Sequence, residues 1–146
     1  MPRIKQAVAL VIRQKEAPSR VLVVRRPQGP GEELPGIWGL PAASLRTGEG
    51  PQEAARRIAR QKLGTQAHIL RELCRGEQQR QGYLLRMRLY EAELTGPEPS
   101  LPNSGALESS VTYYTAWQWI EPSILQEGAS KGSLCCRLLL ETAKQA

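Results

Sequence analysis

Arg56, Arg57, Arg60 and Lys62 crowd into one short stretch of the chain. A guanidinium presents a planar fork that grips phosphate or carboxylate through two parallel bonds, and an ammonium adds a compact charge. On a helix these side chains face only Glu53 as a nearby counter-charge, so the stretch could hold a phosphate without a metal. Arg25 and Arg26, at the end of an apolar run, could reach the same group. Trp38, Trp117, Tyr113 and Tyr114 could stack a base or another planar ligand. Glu49 and Glu53 could act as base or ligand beside the cations, and Glu98 and Glu108 could add a carboxylate from a later loop. Each residue also has a plainer role open to it. Arg57 could pair with Glu49 or Glu53, Trp38 could pack its loop onto the core, and the other glutamates could face water.

The chain has 146 residues and a net charge of +6. Arginine outnumbers lysine 15 to 5, all 14 acids are glutamate, and phenylalanine is absent. Such a basic balance permits nucleotide or nucleic-acid partners without establishing them. Three cysteines, two of them the neighbours Cys135 and Cys136, do not form a disulfide framework and read as buried thiols. His68 stands alone, so histidine-centred acid–base chemistry is poorly supplied. No run of about 18 apolar residues is present, and no signal-peptide core follows Met1. A cytoplasmic protein without a membrane partner is expected.

The elements that must position these groups follow from periodicity. Residues 6–13 and 21–24 are β-branched apolar runs, expected as strands. Residues 27–36 are rich in Pro and Gly and must be loop, and 37–45 resume an extended path. Gly50, Pro51 and Glu53 form a helix start, and Gly64 suits the end of a helix running to Leu63. Its buried face is Ala54, Ala55, Ile58 or Ala59, and Leu63. Residues 67–74 and 82–94 are expected as paired strands around a polar turn at 75–81, with Leu85, Met87 and Leu89 alternating against Arg86, Arg88 and Tyr90. A loop at 95–110 precedes a strand at 111–120. The tail, 133–144, carries Leu134, Cys135, Leu138, Leu139 and Thr142 at helical spacing. One domain spans 1–146.

Trp38-Gly39-Leu40-Pro41, Gly48-Glu49, Glu53-Ala54-Ala55-Arg56-Arg57 and Leu63-Gly64 together resemble the Nudix (MutT-like) hydrolase superfamily. In its box, Glu49 matches the first glutamate, Arg57 the arginine, Ala59 the apolar position and Gly64 the last glycine. Trp119-Ile120 and Pro122-Ser123-Ile124-Leu125 are similar to a later strand and turn. The resemblance implies an α/β fold of the Nudix type, an α/β/α sandwich whose mixed sheet carries the box helix and a C-terminal helix. It also implies a nucleotide-like ligand, and a homodimer is compatible with it.

The box has departures. Ala43 replaces its first glycine and Thr65 its last apolar residue. Ile58, Gln61 and Lys62 stand where the family carries three metal-binding glutamates, at i, i+3 and i+4 on one helix face. Magnesium needs hard oxygen ligands, and an ammonium about 4 Å from a cation costs on the order of 4 kcal/mol per unit charge at moderate dielectric. No metal and no cofactor is therefore expected, with Mg2+ reserved for a hydrolase. Three readings stay open. The first is binding of a nucleoside-diphosphate-type ligand by Arg26, Arg57, Arg60, Lys62 and Trp38 with little or no hydrolysis. The second is metal-dependent hydrolysis through a rearranged site with Glu49 or Glu53 catalytic. The third is nucleic-acid recognition, because the Nudix-like domain of adenine-specific DNA glycosylases also lacks those glutamates.

Overall fold

The computed structural model describes residues 3–28, 34–102 and 113–144. Glu108 and the first residues of the strand expected at 111–120 lie outside these. Strands β1 (Ile4–Ile12) and β2 (Val21–Arg25) form from the two β-branched runs, and the extended stretch gives β3 (Trp38–Gly39) and β4 (Ala42–Ser44). Helix α1 (Pro51–Arg57) leads into a π-helical segment, Ile58–Lys62. Strands β5 (Ala67–Arg80), β6 (Tyr83–Leu94) and β7 (Ala116–Ile120) follow, then a 3-10 turn at Pro122–Leu125 and helices α2 (Gln126–Ser130) and α3 (Leu134–Lys144).

One sheet runs β4-β1-β6-β5 and the other β3-β2-β7. β1 pairs with β6 in parallel and with β4 in antiparallel, so the sheet is mixed. β1 is buried on both faces, and its period-2 alternation sorts two cores. Ala7, Ala9 and Val11 join Leu85, Met87 and Leu89 beneath the α3 residues Leu134, Cys135, Leu138 and Leu139. Val8, Leu10 and Ile12 join Leu22, Val24 and the α1 face Ala54, Ala55, Ile58 and Leu63. Helices thus cover both faces, and the sandwich expected from the sequence is present.

The strand expected at 111–120 begins only at Ala116, since 113–115 are described but not strand, and two further elements differ from the sequence reading. The polar turn expected at 75–81 is strand: β5 continues to Arg80, and only Gln81 and Gly82 make the turn, with Gly82 at φ 87. Gly76 is not a breaker. A Cβ there would stand 2.5 Å from Leu138 Cδ2, so its bare backbone admits α3 onto the strand. The box helix also changes pitch after Arg57. The Leu63 N–H donates to Ile58 O at 3.2 Å, a π-type bond, and Thr65 N–H donates to Ala59 O at 3.0 Å. Such widened turns recur at functional sites.

Gly64 ends this segment at φ 62, where a Cβ would lie 2.1 Å from the carbonyl oxygen of Ser100. Gly64→Ala is expected to lower stability by about 2–4 kcal/mol, combining backbone strain with overpacking. Gly48 has φ 78 but open space around it, so Gly48→Ala should cost only about 1 kcal/mol. Urea denaturation of both variants checks the contrast; equal losses would mean that the Ser100 contact contributes nothing.

Candidate functional site

Arg57 reaches the site from the last turn of α1, where it is 5% exposed. Its Nε donates to Glu49 Oε2 at 2.8 Å and its Nη2 to Glu49 Oε1 at 3.0 Å, a two-pronged ion pair. Nη2 also donates to Ser44 O at 2.9 Å, and Nη1 to Gln61 Oε1 at 3.0 Å. The Arg46 N–H donates to Glu49 Oε1 at 3.0 Å, which closes the turn before the helix. Of the two pairings left open by the sequence, the structure makes the one with Glu49. The Arg57 guanidinium beside it holds the Glu49 carboxyl below the usual value, opposed by partial burial.

Lys62, 5% exposed, projects from the π-helical segment onto the outer edge of β4. Its Nζ donates to Ala42 O at 2.5 Å and stands 4.8 Å from the centre of the Tyr114 ring. The Ala42 N–H donates to the Tyr114 hydroxyl at 2.9 Å, and that hydroxyl donates back to Ala42 O at 3.1 Å. Lysine and tyrosine therefore satisfy the backbone groups that an edge strand leaves without a neighbouring strand.

These groups border a cavity of about 420 Å³. Its cationic lining comprises Lys5, Arg26, Arg46, Arg57, Lys62 and Arg80, and none of the described lining residues is acidic. Ala7, Leu85, Met87 and Leu134 supply apolar floor and wall. Cys135 also lines the cavity, from the first turn of α3. Hydrogen bonding with the neighbouring Cys136 thiol holds its pKa below the ordinary thiol value, against the opposing effect of burial. Ser133, the Leu40 amide and the charge of Arg26 contribute in the same direction, while Cys136 is pushed up by that same bond.

The structure gathers Arg26, Arg57 and Lys62 around this cavity and leaves other sequence candidates outside it. Arg60 and Glu53 are exposed and do not border it. Trp38 is half-buried against the α3-side core, although Gly39 beside it lines the cavity. Glu98 accepts a bond from Trp119 Nε1 at 3.4 Å. Lys5, Arg46, Arg80 and Tyr83 were not among the candidates. For Lys5 and Tyr83 the signal is the strand alternation itself, since Lys5 shares a sheet face with Ala7, and Tyr83 with Leu85 and Met87; Arg46 lies in a loop and carries no such signal.

The family model for the NUDIX domain matches residues 3–131. The chain belongs to the Nudix family. Solved structures of similar fold include the ORF135 protein of E. coli, at 17% identity and TM-score 0.68 over 99% of this chain and 96% of that one. A Nudix hydrolase from Nitrosomonas europaea matches at 14% identity and TM-score 0.71, over 99% and 90%. A C. elegans Ap4A hydrolase matches at 17% identity and TM-score 0.66, over 97% and 96%. No curated protein matches the sequence.

Nudix hydrolases typically use magnesium, and the donor set here does not fit that ion. At the three box positions, Ile58 is fully enclosed in the α1-side core, Gln61 Oε1 accepts from Arg57, and Lys62 brings a positive charge. Both Glu49 oxygens are already held by Arg57. Among the described residues no three His, Cys, Asp or Glu side chains converge. No helix among them is long and apolar enough to cross a membrane.

Glu49→Gln would leave a buried guanidinium without its counter-charge, expected to destabilise the fold by about 3 kcal/mol. Because the carboxyl is depressed in the folded state, its contribution is complete above the unfolded value of about 4.5. It is lost as pH falls through the lower folded value. Denaturation midpoints from pH 7 to pH 3 should therefore drop more steeply for the wild type than for Glu49→Gln. Parallel curves would remove the pair from the stability of the fold.

Proposed function

We propose that this Nudix protein binds a nucleoside-diphosphate-type ligand through its own cations, with little or no metal-assisted hydrolysis. The observation that carries this reading is the Lys62 ammonium, which lines the cavity from a position where the family carries a metal-binding carboxylate. A relative that holds magnesium there presents a positive charge to the diphosphate by way of the ion. Lys62 presents a positive charge directly, and Arg26, Arg46 and Arg57 border the same space. A volume of about 420 Å³ suits a nucleotide-sized ligand. Two of the structural neighbours, an Ap4A hydrolase and an ADP-ribose pyrophosphatase, support the same ligand class.

Hydrolysis through Glu49 or Glu53 has less support from the geometry. A catalytic base must reach the proton it removes. Glu49 is turned into the Arg57 clamp and Glu53 stands outside the cavity. Nucleic-acid recognition draws on the overall charge alone, with no groove or aromatic platform specific to it among the described residues.

Phosphorus NMR of a mixture of nucleoside triphosphates, ADP-ribose, NAD, dinucleoside polyphosphates and coenzyme A tests the proposal, with magnesium, manganese or chelator. The expected result is a shifted or broadened signal in chelator without cleavage. Lys62→Gln, which keeps a donor for Ala42 O but drops the charge, should weaken that binding by about tenfold to a hundredfold. Metal-dependent cleavage of any member would sink the proposal. Silence in every condition, with tight salt-dependent binding of DNA or RNA instead, would transfer the cavity to a nucleic acid.

A further inference from the structure

Cys135 and Cys136 are neighbours in the first turn of α3, yet they meet different surroundings. Cys136 is fully enclosed. Its thiol donates to Trp38 O at 3.9 Å, and its sulfur lies 3.0 Å from where a Cβ on Gly128 would stand. No reagent reaches it without parting α2 from β3. Cys135 keeps 8% of its surface open and lines the cavity. Cys74, on β5, is half-buried, takes a hydrogen bond from the Thr142 hydroxyl at 3.4 Å and does not border the cavity. Of the three thiols, one meets the cationic space.

The contacts of the Cys135 sulfur favour its thiolate. Hydrogen bonding with Cys136, with Ser133 Oγ at 3.5 Å and with the Leu40 amide holds the thiol low against burial, and the charge of Arg26 acts the same way. A sulfur in the first turn of a helix also faces the positive end of the helix dipole. The cavity that it borders carries Lys62 and Lys5, whose ammonium groups rest on a carbonyl and on aromatic rings rather than on carboxylates. A nucleophile reached through such a space meets anionic reagents sooner than cationic ones.

We propose that Cys135 is a modification site, which takes half of an anionic low-molecular-weight disulfide into the cavity as a mixed disulfide. The thiolate attacks one sulfur of the reagent, R–S–S–R. That S–S bond breaks, a Cys135–S–S–R bond forms, and RS− leaves with the bonding electron pair. The reagent is itself the oxidant, and exchange with a free thiol reverses the step. The retained half sets its carboxylates near Lys5 and Lys62 and fills space that a nucleotide would take. As a control on the nucleotide site it rests on that reading; as chemistry of the thiol it needs only the cations.

Peptide mass spectrometry tests the proposal with a charge series: oxidised glutathione (anionic), hydroxyethyl disulfide (neutral) and cystamine (cationic). Cys74 in the same protein is the reference for each reagent's intrinsic reactivity, and fragment ions separate Cys135 from Cys136. The ratio of the Cys135 rate to the Cys74 rate should be higher by about tenfold or more with oxidised glutathione than with cystamine. Cys136 should stay unmodified. Lys5→Ala, a change at an exposed side chain, and raised salt should each shrink the preference. A Cys135 that stays free, or a ratio equal for all three reagents, would overturn the proposal. So would a preference that neither Lys5→Ala nor salt reduces. Phosphorus NMR in chelator then compares the reduced protein with its glutathione adduct. A nucleotide signal shifted by the reduced protein should return to its free position with the adduct, and a signal that stays shifted would overturn the control of the site. If the reduced protein shifts no nucleotide, the nucleotide reading falls, and the charge series still decides the thiol site.

Discussion

The buried pair of Arg57 and Glu49 ties together three segments that would otherwise move independently. Their side chains are only 6% and 12% exposed, so both charges have left most of their water. That loss is recovered only where geometry is good and the remaining donors and acceptors are used. Here Glu49 takes both prongs of the guanidinium and an amide of its own loop, while Arg57 also holds Ser44 on β4 and Gln61 one turn further along. The loop, the edge strand and the helix are consequently fixed against one another at a single point. The position of Lys62 over Ala42 follows from that fixation, and so does the shape of the cavity behind it.

β4 explains why cations stand there at all. Pro41 O accepts from the Leu10 amide and the Leu45 amide donates to Gln6 O, so 41 and 45 face β1. The intervening Ala42 and Ser44 face away, with no further strand beyond them among the described residues. Their groups are met instead by Lys62, Tyr114 and Arg57. A carboxylate at position 62 would put oxygen against the Ala42 oxygen, and the two could share the edge only with a cation or a proton between them. Lysine needs no such intermediary. The same ammonium closes the strand edge and faces the cavity, so the structural role and the positive potential come from one substitution.

Much of this architecture was readable from residue order. Pro51 after Gly50, the alanines facing the sheet, Gly64 at the end and the alternation along β1 and β6 are local signals, and each element formed where they pointed. The failures were non-local. Gly76 reads as a turn residue until Leu138, more than sixty residues later, is seen to need its missing side chain. The π-helical segment has no signal distinct from an α-helix ending at the same glycine. Arg57, Arg60 and Lys62 look equivalent in sequence, yet Arg60 turns to water while the other two turn to β4. That distinction depends on where the helix lies against a strand formed some twenty residues earlier. Lys5, Arg80 and Tyr83 come from three strands, and only their register brings them together.

The same fold must tolerate the charge it concentrates. Like charges about 8 Å apart at an effective dielectric of about 20 repel by about 2 kcal/mol per pair, so a ring of cations around a cavity works against folding. The structure divides that burden. Arg57, as deeply buried as Lys62, is matched by Glu49 inside the protein, so the anchor of the site does not depend on a ligand. Lys62 is held by a carbonyl and an aromatic face, both electron-rich but uncharged. Lys5 is set at the rim, where water lowers its cost. Stability is thus carried in part by a neutral pair, and the proposed binding by cations that line the cavity. An anion entering it gains attraction without having to break the contact that holds the site together.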